Sequence, residues 1–529
     1  MPDYVIVGGG SAGCAIAARL SENPDATVIL LEAGPPDRDP YIHMPVGFFK
    51  MTSGPLTWGY KTAPAKHALD RVMVYPQGRV LGGGSSINAQ VFTRGCPEDF
   101  DRWANTEGCP GWSFKEVLPY FVKSEDNERF SGEMHGTDGP LGVSDLISPH
   151  RLTKVFVRAA QQAGIPYNPD FNGPKQEGCG IYQTTTRSGR RCSAAVAYLR
   201  PALGRRNLTV KTGCLTTRIL VENGRAVGIE YVQNGHPATL RADREVIVAA
   251  GAIGSPKLLL LSGIGPANHL RENGIAIVED LKGVGENLQD HMDIDIVYEL
   301  TGPHSYDKYK KPHWKLVAGI EYKLFNKGPV TSNIAEGGAF WWADRSAPTP
   351  DLQLHFLPGA GIEEGIGTVP SGHGCTLNSY HVRPRSRGTV RLASADPGVA
   401  PVIDPNSFAE GYDLERAIDG VKVSQEIMAQ PAFKPFLRRE HIPGDAVKTT
   451  ADYARFALQV ARSAYHPVGT CKMGADEWAV VDPQLRVRGI DRLRVCDSSV
   501  MPSLISSNTN AASIMIGERA ADLIKGNRP

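Results

Sequence analysis

Tyr4-Val5-Ile6-Val7, then Gly8-Gly9-Gly10-Ser11-Ala12-Gly13, then Cys14 to Leu20, then Thr27-Val28-Ile29-Leu30-Leu31-Glu32: the chain begins as strand, glycine turn, helix, strand and carboxylate. A short β-branched run, glycines and a second apolar run spell a βαβ unit. The spacing Gly8-x-Gly10-x-x-Gly13 has a mechanical meaning. Gly8 permits the tight turn, Gly10 lets a pyrophosphate approach the backbone, and Gly13 lets helix and strand pack closely. The helix start, with its unpaired N–H groups, then receives the phosphate charge. Glu32, 19 residues past Gly13, stands where a carboxylate accepts hydrogen bonds from an adenosine ribose. FAD and NAD both use this geometry, so the motif alone leaves the nucleotide open.

A second glycine cluster runs Gly78-Arg79-Val80-Leu81-Gly82-Gly83-Gly84-Ser85-Ser86-Ile87-Asn88. Such a run costs backbone entropy unless a ligand or another backbone must come close. Its apolar neighbours (Val80, Leu81, Ile87, Val91, Phe92) predict a packed segment lying against a flat cofactor rather than a free surface loop.

From Gly78 to Asp101, and again from Gly251-Ala252-Ile253-Gly254-Ser255-Pro256 through Gly265, the chain resembles the two signatures of the glucose-methanol-choline (GMC) oxidoreductases, a family of FAD enzymes. The resemblance takes in Gly283 to His291 and the last 70 residues, leaving nothing over for an extra domain. Within the family it is nearest to the choline dehydrogenase and L-sorbose dehydrogenase group; Ile42 to Phe48, Tyr167 to Gly173 and Glu336 to Trp341 look most like the latter. The resemblance implies FAD, and carried over position by position it assigns the cofactor to Gly8, Gly10, Ser11, Ala12, Gly13, Glu32 and Ala33. It adds Arg79, Gly83, Gly84, Ser85, Asn88, Ala89 and Val91 in the second cluster, Thr216 and Gly251, and Asp497, Ser498, Asn508 and Ala511 near the end.

The catalytic expectation lies in Tyr465-His466-Pro467, where the proline disfavours helix at residue 466 and holds the histidine in an extended or turn conformation. Further on, Asn508-Thr509-Asn510 precedes an amphipathic helical pattern from Ala511 to Ile524. By the resemblance, His466 is the base and Asn510 its partner. Oxidising an alcohol requires loss of the hydroxyl proton and transfer of a hydride to flavin N5, and a positioned imidazole contributes about 10² to 10⁴ in rate. Asn510 would hold the substrate oxygen, and the helix after it would face the flavin with its positive end. Asp497-Ser498-Ser499, after the strand pattern Leu493 to Cys496, would reach the ribityl chain or pyrophosphate.

Two positions depart from the choline-type pattern. Where some choline-type oxidases attach FAD through a histidine, this chain has Ile87, so a dissociable, non-covalent cofactor is predicted. Trp58 sits where choline-binding relatives place part of an aromatic cage for a quaternary ammonium, although a core position explains it equally. Trp58 and Tyr465 are the candidate substrate contacts. Tyr322, Phe325, Phe340, Trp341, Trp342 and Phe356 do not align into a complete cage, which disfavours choline.

Composition narrows the rest. The 57 Lys plus Arg against 56 Asp plus Glu leave no electrostatic footprint for nucleic acid. No run approaches the roughly 18 to 20 apolar residues of a membrane span, and no basic, apolar leader opens the chain. The expectation is a soluble cytoplasmic protein, with contact to the inner face of the membrane left open. Nine scattered cysteines without C-x-x-C spacing predict reduced, mostly buried thiols and no metal site.

The expected fold is α/β: a Rossmann-like FAD-binding domain from residues 1–150, 205–290 and 456–529, and an α+β substrate domain on an antiparallel sheet from 151–204 and 291–455. Leu352 to Leu357 and Gly388 to Leu392 suit strands of that sheet with one covered face. Stretches near 34–64 and 358–374 are candidate lids. The expected reaction is oxidation of a primary alcohol of a sugar, polyol or similar small molecule, L-sorbose-like, with electrons passed to a quinone or dye. The alternatives are an oxidase making hydrogen peroxide, a choline dehydrogenase and an FAD-containing hydroxynitrile lyase.

Overall fold

The computed structural model describes residues 1–362 and 365–526. At its centre Tyr4–Val7 (β1) lies in a five-stranded parallel sheet, between Val28–Leu31 (β2) and Glu245–Val248. Leu208–Lys211 flanks β2 and Leu493–Val495 flanks Glu245–Val248, so three stretches far apart in sequence build one sheet. Ile6 pairs with Leu30 on one side and Ile247 on the other. All four residues of β1 are buried, as befits a parallel strand covered on both faces.

The glycine turn behaves as its spacing predicts. Gly8 has φ +102°, and a Cβ there would sit 2.4 Å from the Ala249 carbonyl oxygen. A Cβ on Gly13 would come within 1.9 Å of the Gly8 oxygen, so Ser11–Leu20 (α1) packs on the sheet only because that position is bare. Gly251–Leu261 (α2) follows Glu245–Val248 in the same way.

The second layer is a seven-stranded sheet whose main path runs Leu437–Ile442, Met292–Leu300, Gly374–His381, Leu352–Leu357, Gly337–Trp341 and Gly178–Ile181, with Arg462–Ser463 paired beside Met292 and Asp293. Its pairings are antiparallel. Ile294, Ile296, Leu354, Phe356, Cys375 and Leu377 alternate onto one face, packed under the helices Arg151–Gln162 and Gly411–Met428. The opposite face carries Asp293, Gln353, His355, Asn378 and Tyr380, all buried. The alternation in Leu352–Leu357 therefore does not mark a solvent-facing side; all six residues are buried, because the polar side looks into the cavity described below. Thr389–Arg391 lies outside this sheet and pairs with Val402–Asp404 as a separate ribbon. The border drawn at residue 456 runs through the helix Thr450–Val460, and Arg462–Ser463 belongs to the antiparallel sheet.

Pro312–Phe325 (α3) packs on the flanking segments Tyr306–Lys310 and Pro329–Thr331, with only Ala318 buried. The C-terminal helix Asn510–Lys525 (α4) packs along α1, so closely that a Cβ on Gly517 would lie 2.7 Å from the Ala12 oxygen. Arg19 of α1 grips the fully buried Glu518 of α4 with Nε–Oε2 and Nη2–Oε1 contacts of 2.8 Å each, and the Tyr198 hydroxyl donates to the same carboxylate at 2.8 Å. Removing one partner of such a pair typically costs about 3–5 kcal/mol. All nine cysteines are buried and none is bonded to another. No helix among the described residues is long and apolar enough to cross a membrane.

Candidate active site

One cavity of about 340 Å³ runs between the two sheets, from the glycine turn after β1 to the polar face of the antiparallel sheet. Gly8, Gly10, Ser11, Ala12, Glu32 and Ala33 line its first end. Gly83, Gly84, Asn88, Ala89 and Val91 line its flank, with Thr216 and Gly251 opposite. Asp497, Ser498, Asn508 and Asn510 close it together with Trp58, Tyr465 and His466. Four positions assigned to the cofactor are not on this wall. Gly13 serves helix packing, and the Ser85 hydroxyl donates to Gly82 O at 2.6 Å while accepting from Ala194 N at 2.9 Å. Ala511 is buried in the first turn of α4, and Arg79 is an exposed residue whose guanidinium lies over Trp58.

The walls have the form a flat dinucleotide needs. Cβ atoms added at Gly84 or Gly251 would meet nothing within 4 Å, and one at Gly10 only the Ala249 oxygen at 3.8 Å, so these backbones stand bare against open space. Neither α1 nor α4 has a side-chain cap, and both helices start on the cavity wall. Two sets of backbone N–H groups and two positive helix ends thus face the same space. Glu32 is buried at the first end, held by N–H donors from Gly9 (2.9 Å) and Gly34 (2.7 Å). Burial pushes its carboxyl up to about 7 against the pull of those donors. The Asp497 carboxylate, on the same wall, accepts from Gly251 N (2.9 Å) and Ser255 Oγ (2.6 Å), tying the end of the neighbouring strand to the start of α2.

At the other end, backbone geometry aims His466. Tyr465 takes φ +67°, a left-handed conformation that costs a non-glycine residue about 1–3 kcal/mol and persists only where its surroundings impose it. The Asp290 carboxylate provides that imposition, accepting from His466 N at 2.8 Å and from the Ser463 hydroxyl.

The proton on His466 can be placed by elimination. A carbonyl only accepts, so the His291 Nε2–H donates to Val382 O (3.1 Å) and leaves His291 Nδ1 as an acceptor. His291 Nδ1 lies 3.0 Å from His466 Nδ1, which must then carry the hydrogen. His466 Nε2 is left with its lone pair. Burial foremost, then the nearby imidazoles of His291 and His355, hold His466 well below the usual histidine range. His291 falls to about 3 and His355 to about 4, each mainly by burial. All three rings are neutral near pH 7.

The amide beside His466 Nε2 belongs to Asn508, whose Nδ2 is 3.1 Å away. Its Oδ1 accepts from Gln353 Nε2 (3.0 Å) and Thr93 Oγ1 (3.0 Å), which fixes the amide orientation. Sequence reading paired His466 with Asn510. Here the Asn510 Oδ1 accepts from Ser11 Oγ at 2.8 Å, tying α4 to α1, and Asn508 takes the place beside the imidazole.

His355, Asn378, Tyr380, Asp293 and Arg462 also line this end, and sequence reading missed all five. Arg462 contacts Asp293 (2.8 Å) and Asp295 (2.9 Å), and Asn378 Nδ2 donates to Asp293 Oδ2 at 3.1 Å. The signal available was the polar half of each alternating strand. None of the six mid-chain aromatics weighed as a cage lies on the wall. Trp58 lies there, but with its ring stacked 5.8 Å from Tyr60 and covered by Arg79 at 5.1 Å.

Comparison with known proteins agrees with this architecture. The N-terminal GMC oxidoreductase profile matches residues 2–293 and the C-terminal one residues 384–517. The chain belongs to the GMC oxidoreductase family. It is 44% identical to an alcohol dehydrogenase [acceptor] of Pseudomonas putida, covering 99% of this chain and 96% of that protein. It is also 44% identical to an oxygen-dependent choline dehydrogenase of Sinorhizobium medicae, over 100% of this chain and 96% of the other. Among solved structures, formate oxidase of Aspergillus oryzae, studied for modification of its FAD, superposes with a TM-score of 0.93 at 28% identity, covering 99% and 98% of the two chains. The chain is an FAD-dependent oxidoreductase, and the cavity between its sheets has the bare glycines and open helix ends that this cofactor requires.

Proposed function

We propose that the protein is an alcohol dehydrogenase that oxidises the primary hydroxyl of a small polyhydroxy compound, with His466 as base and Asn508 as the group that holds the substrate oxygen. The observation that carries this reading is the juxtaposition of the His466 lone pair and the Asn508 amide with a wall of hydrogen-bonding side chains, Asp293, His355 and Asn378. FAD, when bound, supplies the acceptor for the two electrons that leave the carbinol carbon.

His466 Nε2 takes the hydroxyl proton. A base this weak deprotonates an ordinary alcohol poorly, but a carbinol losing its C–H electrons becomes a protonated carbonyl, a far stronger acid. Proton and hydride therefore leave together, and the burial that weakens the base also keeps water from competing. When the hydroxyl takes the acceptor place on His466 Nε2, the Asn508 amide N–H turns from the ring to the substrate oxygen and keeps the carbon in line.

The polar lining of the sheet face favours a substrate with further hydroxyls over an alkyl chain, which would cover those groups without offering a hydrogen bond in return. Trp58 already has the Arg79 guanidinium over its ring at 5.1 Å, a positive charge that competes with a quaternary ammonium and argues against choline. The acceptor we assign is a quinone or dye rather than oxygen.

An anaerobic screen settles the substrate. Sugar alcohols and ketoses such as sorbitol and L-sorbose should bleach the flavin absorbance faster than choline or a simple alkanol of equal length, and reduced enzyme mixed with air-saturated buffer should reoxidise slowly. Faster bleaching by choline or the alkanol would refute the substrate assignment, and rapid reoxidation by oxygen the acceptor.

A further inference from the structure

Eighteen large apolar side chains are conspicuously exposed on the described surface, and six of them, Trp314, Leu316, Val317, Ile320, Leu324 and Phe325, belong to the 14-residue helix α3. At 3.6 residues per turn, Leu316, Val317, Ile320 and Leu324 fall within an arc of about 100°, while Ala318 and Tyr322 face inward. Leu316 and Leu324 are 66% and 67% exposed, values that a helix face covered by its own protein does not show.

The arc is framed by positive charge. Lys308, Lys310, Lys311, Lys315, Lys323 and Lys327 stand within or beside α3, against only Asp307 and Glu321, in a chain whose net charge is +1. Asp307 is buried and its carboxylate is spent on Lys310 at 2.8 Å. Lys308 extends along Tyr309 and Trp314, about 5 Å from each ring, an aromatic and basic edge of the kind found at the water–lipid boundary.

We propose that α3 is an in-plane anchor that seats the enzyme on an anionic lipid surface, with the leucine and isoleucine arc in the acyl boundary and the lysines among the headgroups. A flat apolar arc with a basic rim matches a bilayer carrying negative charge. It matches a second copy of this chain poorly, since the facing helices would bring like charges together. The anchor is rigidly mounted. Tyr306, just before α3, donates to the buried Glu336 at 2.6 Å, and Asn333, just after it, donates to Ala89 O at 2.7 Å. Ala89 and Ala335 both line the cavity, so a docked α3 sets that wall beside the membrane. The inference is independent of which alcohol is oxidised.

The test uses FAD-loaded full-length protein and sedimentation with sucrose-filled vesicles, either phosphatidylcholine alone or phosphatidylcholine with one quarter phosphatidylglycerol. Wild type should pellet with the anionic vesicles, weakly with the neutral ones, and be released by high salt. Replacing Leu316, Ile320 and Leu324 together by serine should lower the partition coefficient by about tenfold or more while turnover with a soluble dye stays within about twofold. Should that variant fail to fold, Lys315→Glu with Lys323→Glu should lose the preference for anionic vesicles. Wild type remaining in the supernatant, or both variants pelleting like wild type, overturns the proposal. So does a wild-type dimer that the serine variant dissolves in the absence of any vesicle binding, which would assign the face to a second copy.

Discussion

His291→Phe tests how the proposed base, His466, is held. The phenyl ring keeps the stacking on Tyr380, whose ring lies 4.7 Å away and 19° from parallel, but removes the Nδ1 acceptor and the Nε2–H. His466 Nδ1–H then points into a buried space without a partner. Leaving a buried donor unsatisfied costs about 1–3 kcal/mol, and the imidazole relieves that cost by moving its proton to Nε2, where it blocks the lone pair. Either way the competent tautomer loses about 1–3 kcal/mol, which is roughly a fivefold to 150-fold loss in kcat/KM. The assay is steady-state turnover with a soluble dye acceptor, combined with the cycle His291→Phe, His466→Ala and the double variant. If His291 acts only through His466, adding His291→Phe to His466→Ala should change the residual rate by less than about twofold. A single variant as active as wild type, or one whose penalty persists undiminished without His466, would refute the tautomer argument.

Replacing Asn508 by alanine should lower kcat/KM by about tenfold to a hundredfold, whereas Asn510→Ala should act chiefly on FAD retention by freeing Ser11; the reverse ranking would restore Asn510 as the partner. Because His466 is held below the ordinary histidine range and works only when unprotonated, kcat/KM should stay level as pH falls through 6.5 and decline only below it; an acid limb at pH 7 or above would contradict the burial argument. The same depressed values make stability rise with pH in that window, since the unfolded chain takes up protons the folded one refuses. Glu32 and Asp290, raised to about 7 and about 6, pull the other way over this range, so the effect is read by difference. His355, lowered from 6.5 to about 4, removes roughly 3 kcal/mol between those pH values, and a His355→Asn variant that loses as much stability as wild type from pH 7 to 4 would be inconsistent with it. With Ile87 at the position of the attaching histidine, acid precipitation should release all flavin into the supernatant, and colour retained in the pellet would point to a covalent bond.

The parallel layer was legible in the sequence because its rules are local. Gly8 needs positive φ and Gly13 needs a missing Cβ, and both needs follow from turn and helix packing within a few residues. The antiparallel layer was legible only as periodicity. Leu352–Leu357 alternates as a half-exposed strand would, and nothing within the strand reveals that its polar side faces a cofactor cavity instead of water. For that reason His355, Asn378 and Tyr380 went unnoticed, although each stands at an alternating position. The choice between Asn508 and Asn510 was equally beyond pattern: residue 510 is the first of α4 and is captured by Ser11, while residue 508 lies outside the helix and turns toward His466.

The site divides its electrostatics between two kinds of group, and the division follows from what each half must do. The half against the cofactor carries fixed positive ends, the uncapped starts of α1 and α4, which favour an anion and cost nothing to protonate or deprotonate. At the other end stand the imidazoles of His291, His355 and His466, each held below the usual histidine range mainly by burial. A charged histidine there could donate to the oxygen of an alcohol yet would have no lone pair to receive the hydroxyl proton. Neutrality keeps the lone pair available, and the price is that His466 cannot hold a proton for long once it has one. The proton must pass on before the next alcohol binds. Asp290, whose carboxylate accepts from the His466 backbone N–H, is itself pushed up by burial to about 6.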